Sequence, residues 1–177
     1  MKEWKLHAVI AELNLKETDV FADVGGYRGD VTAIVRKLFD CTCYIYEPYP
    51  EFYEQCRKRF ENDPKVTAFN YGLGNGNRQQ KLYYHADGTS LYDEGSVGVE
   101  VEIRDAKEVL KDFQAIKLNC EGAEYEILES IRDSLAPQML IQFHKHGGDK
   151  NEAVGILKKT HTMVWPKARK RWELWRQ

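Results

Sequence analysis

The chain has 177 residues, 42% of them hydrophobic and 31% charged, with a formal net charge of −2. That length suits one domain able to bury about two thirds of the surface its unfolded chain exposes. The balance excludes a disordered or fibrous chain, and it supplies no global field that would gather nucleic acid or an acidic membrane.

Apolar runs are far too short to span a bilayer, and Met1-Lys2-Glu3-Trp4 does not open a signal peptide. Cys41, Cys43, Cys56 and Cys120 lack paired zinc spacing. Reduced, mostly buried thiols in a cytoplasmic protein are expected. Leu6, Val9, Ile10 and Leu13 follow helical spacing, predicting a helix over residues 3 to 14 within a lead-in segment 1–16. Val20 to Val24 is a short apolar strand ending in Gly25-Gly26-Tyr27-Arg28-Gly29, with Asp30 as an expected N-cap for a helix over 31 to 39. Thr42 to Glu47 is a second strand, Glu51 to Asn62 a helix after Pro50, and Val66 to Asn70 a third strand followed by a loop, Tyr71 to Asn77. This is βαβαβ, half of a parallel three-layer sheet.

Between residues 79 and 103 the pattern changes to alternating strands and polar turns, an expected insertion near the carboxyl ends of the sheet. A short helix over 105 to 111, a strand from Ala115 to Asn119, a helix over 122 to 134 and a strand from Met139 to Phe143 follow. After the loop His144 to Gly148 come a helix over 150 to 159 and two strands, 160 to 165 and 171 to 175, forming a terminal antiparallel hairpin. Residues 1–177 thus form a single domain. Lys167 to Arg171, between Trp165 and Trp172, reads as a charged hairpin turn, not a nucleic-acid surface.

The glycine turn between strand and helix is where a doubly wound sheet binds a nucleotide. It lacks the lysine-bearing phosphate loop and the G-x-G-x-x-G spacing, and Asp23 within it would repel a pyrophosphate. A cationic or hydroxyl-bearing ligand is expected instead. Glu47, about 20 residues on, is placed to take a ribose diol.

Asp23-Val24-Gly25-Gly26-Tyr27-Arg28-Gly29, Tyr46-Glu47-Pro48, Gly72-Leu73-Gly74 and Lys117-Leu118-Asn119-Cys120-Glu121-Gly122-Ala123-Glu124 together resemble the FkbM family of S-adenosylmethionine-dependent methyltransferases. The resemblance runs from about Val20 to His144 and is most specific in the last of these runs. It implies an α/β, three-layer, Rossmann-like class I methyltransferase fold, mostly parallel with the antiparallel hairpin at its end. It also implies O-methylation of a sugar or small-molecule hydroxyl, while the charge balance and the short apolar runs give the expectation of no nucleic acid and no membrane as partner. Three positions depart from the family pattern: Asn119 replaces an aspartate, Gln142 an acidic residue, and Tyr27 an asparagine.

On this reading Asp23, Gly25, Gly26, Tyr27, Gly29, Glu47, Asn70, Tyr71 and Gly72 bind S-adenosylmethionine, with Asp23 near its amino group and Glu47 on its ribose. The catalytic candidates are His144 as general base, Glu121 for substrate orientation or base, and Asn119 beside the reacting groups. His144 and His146 do not make a convincing ligand set, so no metal is expected. Two alternatives stay open: a non-catalytic module that keeps the cofactor fold, and a nicotinamide-dependent oxidoreductase with a fully parallel sheet.

Overall fold

The computed structural model describes residues 3–85, 88–90, 98–165 and 172–177. A seven-stranded sheet runs through the molecule in the order β10-β11-β9-β8-β1-β2-β3. Its strands are β1 (Val20–Val24), β2 (Thr42–Tyr46), β3 (Val66–Phe69), β8 (Ala115–Leu118), β9 (Gln138–Gln142), β10 (Thr162–Trp165) and β11 (Trp172–Arg176). The first five run parallel to one another, whereas β11 lies antiparallel between β9 and β10. The expected terminal hairpin is present, and the fully parallel sheet of the oxidoreductase alternative is not. The hairpin's basic turn, Lys167 to Arg171, lies outside the described residues.

Strand alternation sorts side chains into two cores. Phe21 and Ala115 face a layer containing Val9 and Ile10 of α1 (Glu3–Ile10) and Val35 of α2 (Asp30–Phe39). Ala22, Ile116 and Leu118 face the opposite layer, with Ala106 of α4 (Ala106–Val109), Ile127 and Leu128 of α5 (Glu124–Ser130), and Leu157 of α6 (Lys150–Leu157). With both faces covered, β8 and β9 are buried at every position and read as near-continuous apolar runs. One helix remains, α3 (Pro50–Arg59), started by a proline whose missing N–H costs nothing in the first turn. The lead-in helix is shorter than the 3–14 expected.

Asp30 does not cap α2. Gly29 takes the N-cap position at φ 76°, and the Asp30 carboxylate accepts from Arg59 Nη1 at 2.6 Å. The left-handed turn delivers the chain into the helix one residue earlier than a β-region cap would.

The inserted segment builds its own four-stranded sheet, β4-β7-β5-β6, from β4 (Gly72–Gly74), β5 (Arg78–His85), β6 (Gly88–Ser90) and β7 (Gly98–Asp105). Tyr71 to Asn77, expected as a loop, therefore contains a strand. Gly72 to Gly74 pairs in parallel with Ile103 to Asp105, a long-range pairing that no local pattern announces. Residues 86–87 and 91–97 of the polar turns lie outside the described residues.

Candidate active site at the strand tips

β8, β1 and β2 end side by side, and the residues just past their tips, Asn119, Gly25 and Glu47, wall a single cleft. Its volume is about 840 Å³ counting the open mouth. The chain leaves β1 for β2 on one side, while β8 lies on the other. The cleft thus sits where the strand order reverses, the place where open α/β sheets bind ligands.

The turn after β1 is held by its own backbone. Gly25 N–H donates to the Tyr46 carbonyl at 2.9 Å, with φ 76°. A Cβ at Gly25 would overlap the carbonyl oxygen of Asn119, so glycine is what lets the tips of β1 and β8 lie together. Tyr27 is also left-handed, at φ 52°, which gives a physical reason for asparagine at this place in the family pattern. Its ring packs edge-on against Phe52 with centroids 4.4 Å apart, and it lies on the cleft wall.

Glu47 is only 4% exposed, yet both its oxygens are held: Oε2 accepts from Tyr27 N–H at 2.8 Å and Oε1 from Tyr49 N–H at 2.9 Å. Each oxygen keeps a lone pair for a ligand hydroxyl. Burial pushes its pKa up to about 7, against the pull of those two backbone donors.

Asp23 is placed elsewhere. It shares the face of Phe21, one step out of phase with the cleft-lining Val24, and stands directly opposite Lys117 in the β1–β8 register. Both are fully buried, with Asp23 Oδ1 2.8 Å from Lys117 Nζ, and Thr32 Oγ1 donates to Asp23 Oδ2 at 2.8 Å. Lys117 Nζ also donates to the carbonyls of Val24 at 3.1 Å and Gly25 at 2.6 Å. The ammonium is thereby ringed by one carboxylate and two carbonyls. This buried pair lies beneath the turn, and neither of its side chains lines the cleft.

Of the other residues expected at the cofactor, Gly72 lines the cleft. Gly26 packs behind the turn on Ile45, and Gly29 caps α2. Asn70 is exposed and buttresses the strand end, its amide donating to the carbonyls of Glu47 at 3.1 Å and Pro48 at 3.0 Å. Tyr71 is buried beside the rings of Tyr46 and Phe69, with the Arg104 guanidinium 4.0 Å over its own. The wall includes residues that sequence reasoning missed: Tyr46, Pro48, Leu73, Leu82, Ile103 and Cys120. Leu82 and Ile103 come from the second sheet.

On the β8 side the loop Cys120 to Gly122 is wrapped around one carboxylate. Glu124 is fully buried, Oε1 accepting from Cys120 N–H at 2.5 Å and Oε2 from Gly122 N–H at 3.0 Å. Glu121 and Asn119 line the cleft, and Asn119 Oδ1 is buried without a hydrogen-bond partner among the described residues. Burial holds the Cys120 thiol well above its ordinary pKa, so it stays protonated. His144 lies behind Glu121 and outside the cleft wall, its Nδ1 2.9 Å from Glu124 Oε1 and its Nε2 3.2 Å from Glu121 Oε1. Burial lowers its pKa, but the two carboxylates outweigh that and push it up to about 9. Both ring nitrogens are turned onto carboxylates and the ring does not line the cleft, so the geometry leaves no nitrogen directed at a ligand there for the general-base role expected of His144. Among the described residues, no group of three His, Cys, Asp or Glu side chains converges on a metal site.

The model of the methyltransferase FkbM domain matches residues 23–163, most of the chain. The chain belongs to the FkbM methyltransferase family. No curated protein sequence matches this FkbM-family chain. Its fold is that of the class I methyltransferases, as three solved structures illustrate. A precorrin-6y C5,15-methyltransferase from Geobacter metallireducens superposes with TM-score 0.58 at 14% identity, covering 100% of this chain and 89% of the other. An rRNA methylase from Streptococcus thermophilus gives 0.56 at 13%, covering 96% and 90%. A Streptococcus mutans protein assigned to the methyltransferases and solved in complex with SAH gives 0.55 at 12%, covering 99% and 96%.

Proposed function

We propose that this FkbM-family chain binds S-adenosylmethionine in the cleft and transfers its methyl group to the hydroxyl of a sugar or other small molecule. The observation that carries the cofactor reading is Glu47: a buried carboxylate at the tip of β2, with each oxygen fixed by one backbone N–H and facing the same cleft as Gly25 and Asn119. That is the arrangement a ribose diol requires, two charge-assisted hydrogen bonds to one pre-oriented group. The unpartnered Asn119 Oδ1 suits a ligand donor, the ammonium of the cofactor's amino acid. The apolar wall of Pro48, Leu73, Leu82 and Ile103 beside Gly72 suits an adenine. The hydroxyl acceptor follows from the family resemblance and from the slightly acidic balance of the chain, which does not favour a polyanion.

Bound in this way, S-adenosylmethionine supplies an electrophilic methyl carbon and its own leaving group. The protein's work is then to align the two reactants and keep water out. The Gly25 turn sets how closely the methionine portion approaches the backbone, and the Lys117–Asp23 pair keeps that turn rigid from below.

Calorimetry with S-adenosylhomocysteine tests the cofactor site. The charged form of Glu47 is the one that grips a diol, so wild-type affinity should strengthen as pH rises through about 7. Glu47→Gln should bind at least about tenfold more weakly above that pH, the cost of weakening hydrogen bonds to a charged group, and show no such rise. The same raised pKa makes the unliganded protein lose Glu47's contribution to stability as pH climbs from about 4.5 through about 7. Undiminished binding by Glu47→Gln would refute the assignment. A screen of hydroxyl acceptors with methyl-tritiated cofactor tests transfer itself: binding without transfer to any acceptor would favour the non-catalytic module.

A further inference from the structure

The ring of His144 has a carboxylate oxygen at each of its two nitrogens, Glu124 Oε1 at Nδ1 and Glu121 Oε1 at Nε2. A neutral imidazole has one N–H and can serve only one of them; both contacts are satisfied together when both nitrogens carry protons. The Gln142 amide nitrogen, on β9, lies 3.4 Å from Nε2, and a proton on Nε2 requires that amide to be turned so that its oxygen faces the ring. The His146 ring is 5.9 Å away, and its Nε2 contacts the Glu121 carbonyl at 2.9 Å. Tyr125 on α5 donates its hydroxyl proton to the His144 carbonyl, fixing the backbone that carries the ring. Glu124 also accepts from the backbone N–H groups of Cys120 and Gly122.

The result is a three-group clamp of which only Glu121 reaches the cleft. Glu124 is fully enclosed and His144 sits behind the wall, whereas the Glu121 side chain is 35% exposed and lines the cleft. Glu121 is also held at φ 48°, a left-handed backbone that non-glycine residues seldom adopt and that the surrounding contacts must maintain.

We propose that His144 is a positioning residue, holding a carboxylate at each ring nitrogen, that fixes the Glu121 carboxylate at the cleft wall, and that Glu121 receives the acceptor's hydroxyl proton. The inference about Glu121 rests on the methyl-transfer reading; the clamp itself does not. As the acceptor O–H bond breaks, its proton goes to a Glu121 carboxylate oxygen. The acceptor oxygen's electron pair forms the new O–C bond, and the pair of the breaking C–S bond stays on sulfur. Glu121 then returns the proton to solvent through its exposed side.

The test is a pH titration of histidine-labelled protein followed by NMR, with and without S-adenosylhomocysteine. His144→Gln assigns the signal, and Glu121→Gln does so by its perturbation if His144→Gln does not fold. The expected His144 signal is that of imidazolium at neutral pH, with a midpoint near 9, moving downward in both Glu121→Gln and Glu124→Gln. A midpoint at or below the ordinary 6.5 would overturn the proposal, since His144 would then be free to act as base. Calorimetry on the same samples separates the two readings: failure to bind S-adenosylhomocysteine with His144 still protonated removes the cofactor reading and leaves the clamp. In transfer to whichever hydroxyl acceptor the tritium screen yields, Glu121→Gln should lose about a hundredfold or more in rate, as for loss of a general base, with S-adenosylhomocysteine affinity preserved and partial rescue by Glu121→Asp. A Glu121→Gln variant that keeps its rate would also overturn it.

Discussion

Replacing Lys117 with methionine is expected to destabilise the protein by about 3–5 kcal/mol, because it leaves Asp23 as an uncompensated buried charge. The size follows from how completely the site is closed. Lys117 Nζ serves the Asp23 carboxylate and two backbone carbonyls, and neither charged side chain has water to fall back on. Asp23→Asn combined with Lys117→Met should recover part of the loss, since the asparagine oxygen can still accept from Thr32 Oγ1 and no charge is stranded. Urea denaturation of the two variants beside the wild type measures this. A cost for Lys117→Met within about 1 kcal/mol, the range of an exposed ion pair, would show that the pair is not what holds the turn.

Gly25→Ala should damage both stability and binding. The left-handed φ of 76° costs an L-residue roughly 1–2 kcal/mol. The added Cβ would also meet backbone, the carbonyl of Asn119, which cannot swing aside as a side chain can. The tips of β1 and β8 must therefore part, and with them the Gly25 and Asn119 walls of the cleft. S-adenosylhomocysteine affinity should fall by more than about tenfold, equivalent to about 1.4 kcal/mol. Gly76→Ala is the control: nothing among the described residues lies within 4 Å of a Cβ there, and the change should stay within about ±0.5 kcal/mol. Equal behaviour of the two variants would contradict the close-approach account of Gly25.

Much of this architecture was legible in the sequence because its signals are local. A strand, a glycine turn and a helix start lie within 20 residues, Glu47 ends the next strand, and the terminal tryptophan-bearing strands bracket a turn. What was not legible depends on pairing between distant segments. Alternation along β1 does place Asp23 with Phe21 and away from Val24, but only the register with β8 shows that Lys117 stands opposite and takes the carboxylate. The sequence signal was present in the lone lysine of an otherwise apolar strand, a residue that needs a buried partner. Gly72 to Gly74 reads as a loop because three residues carry no periodicity, and it becomes a strand only by pairing with β7. Leu82 and Ile103 reach the cleft by the same long-range route. His144 was identifiable as a strand-end histidine; its charge was not, because the two carboxylates that set it belong to the segment after β8.

The most direct measurement is a crystal structure of the chain with S-adenosylhomocysteine. The ribose hydroxyls should lie within hydrogen-bond distance, about 2.5–3.0 Å, of the two oxygens of Glu47, with the amino group against Asn119 Oδ1 and the Lys117–Asp23 pair undisturbed beneath. A ligand bound away from the tips of β1, β2 and β8, or one whose ribose ignores Glu47, would contradict the assignment of this cleft as the methyl-donor site.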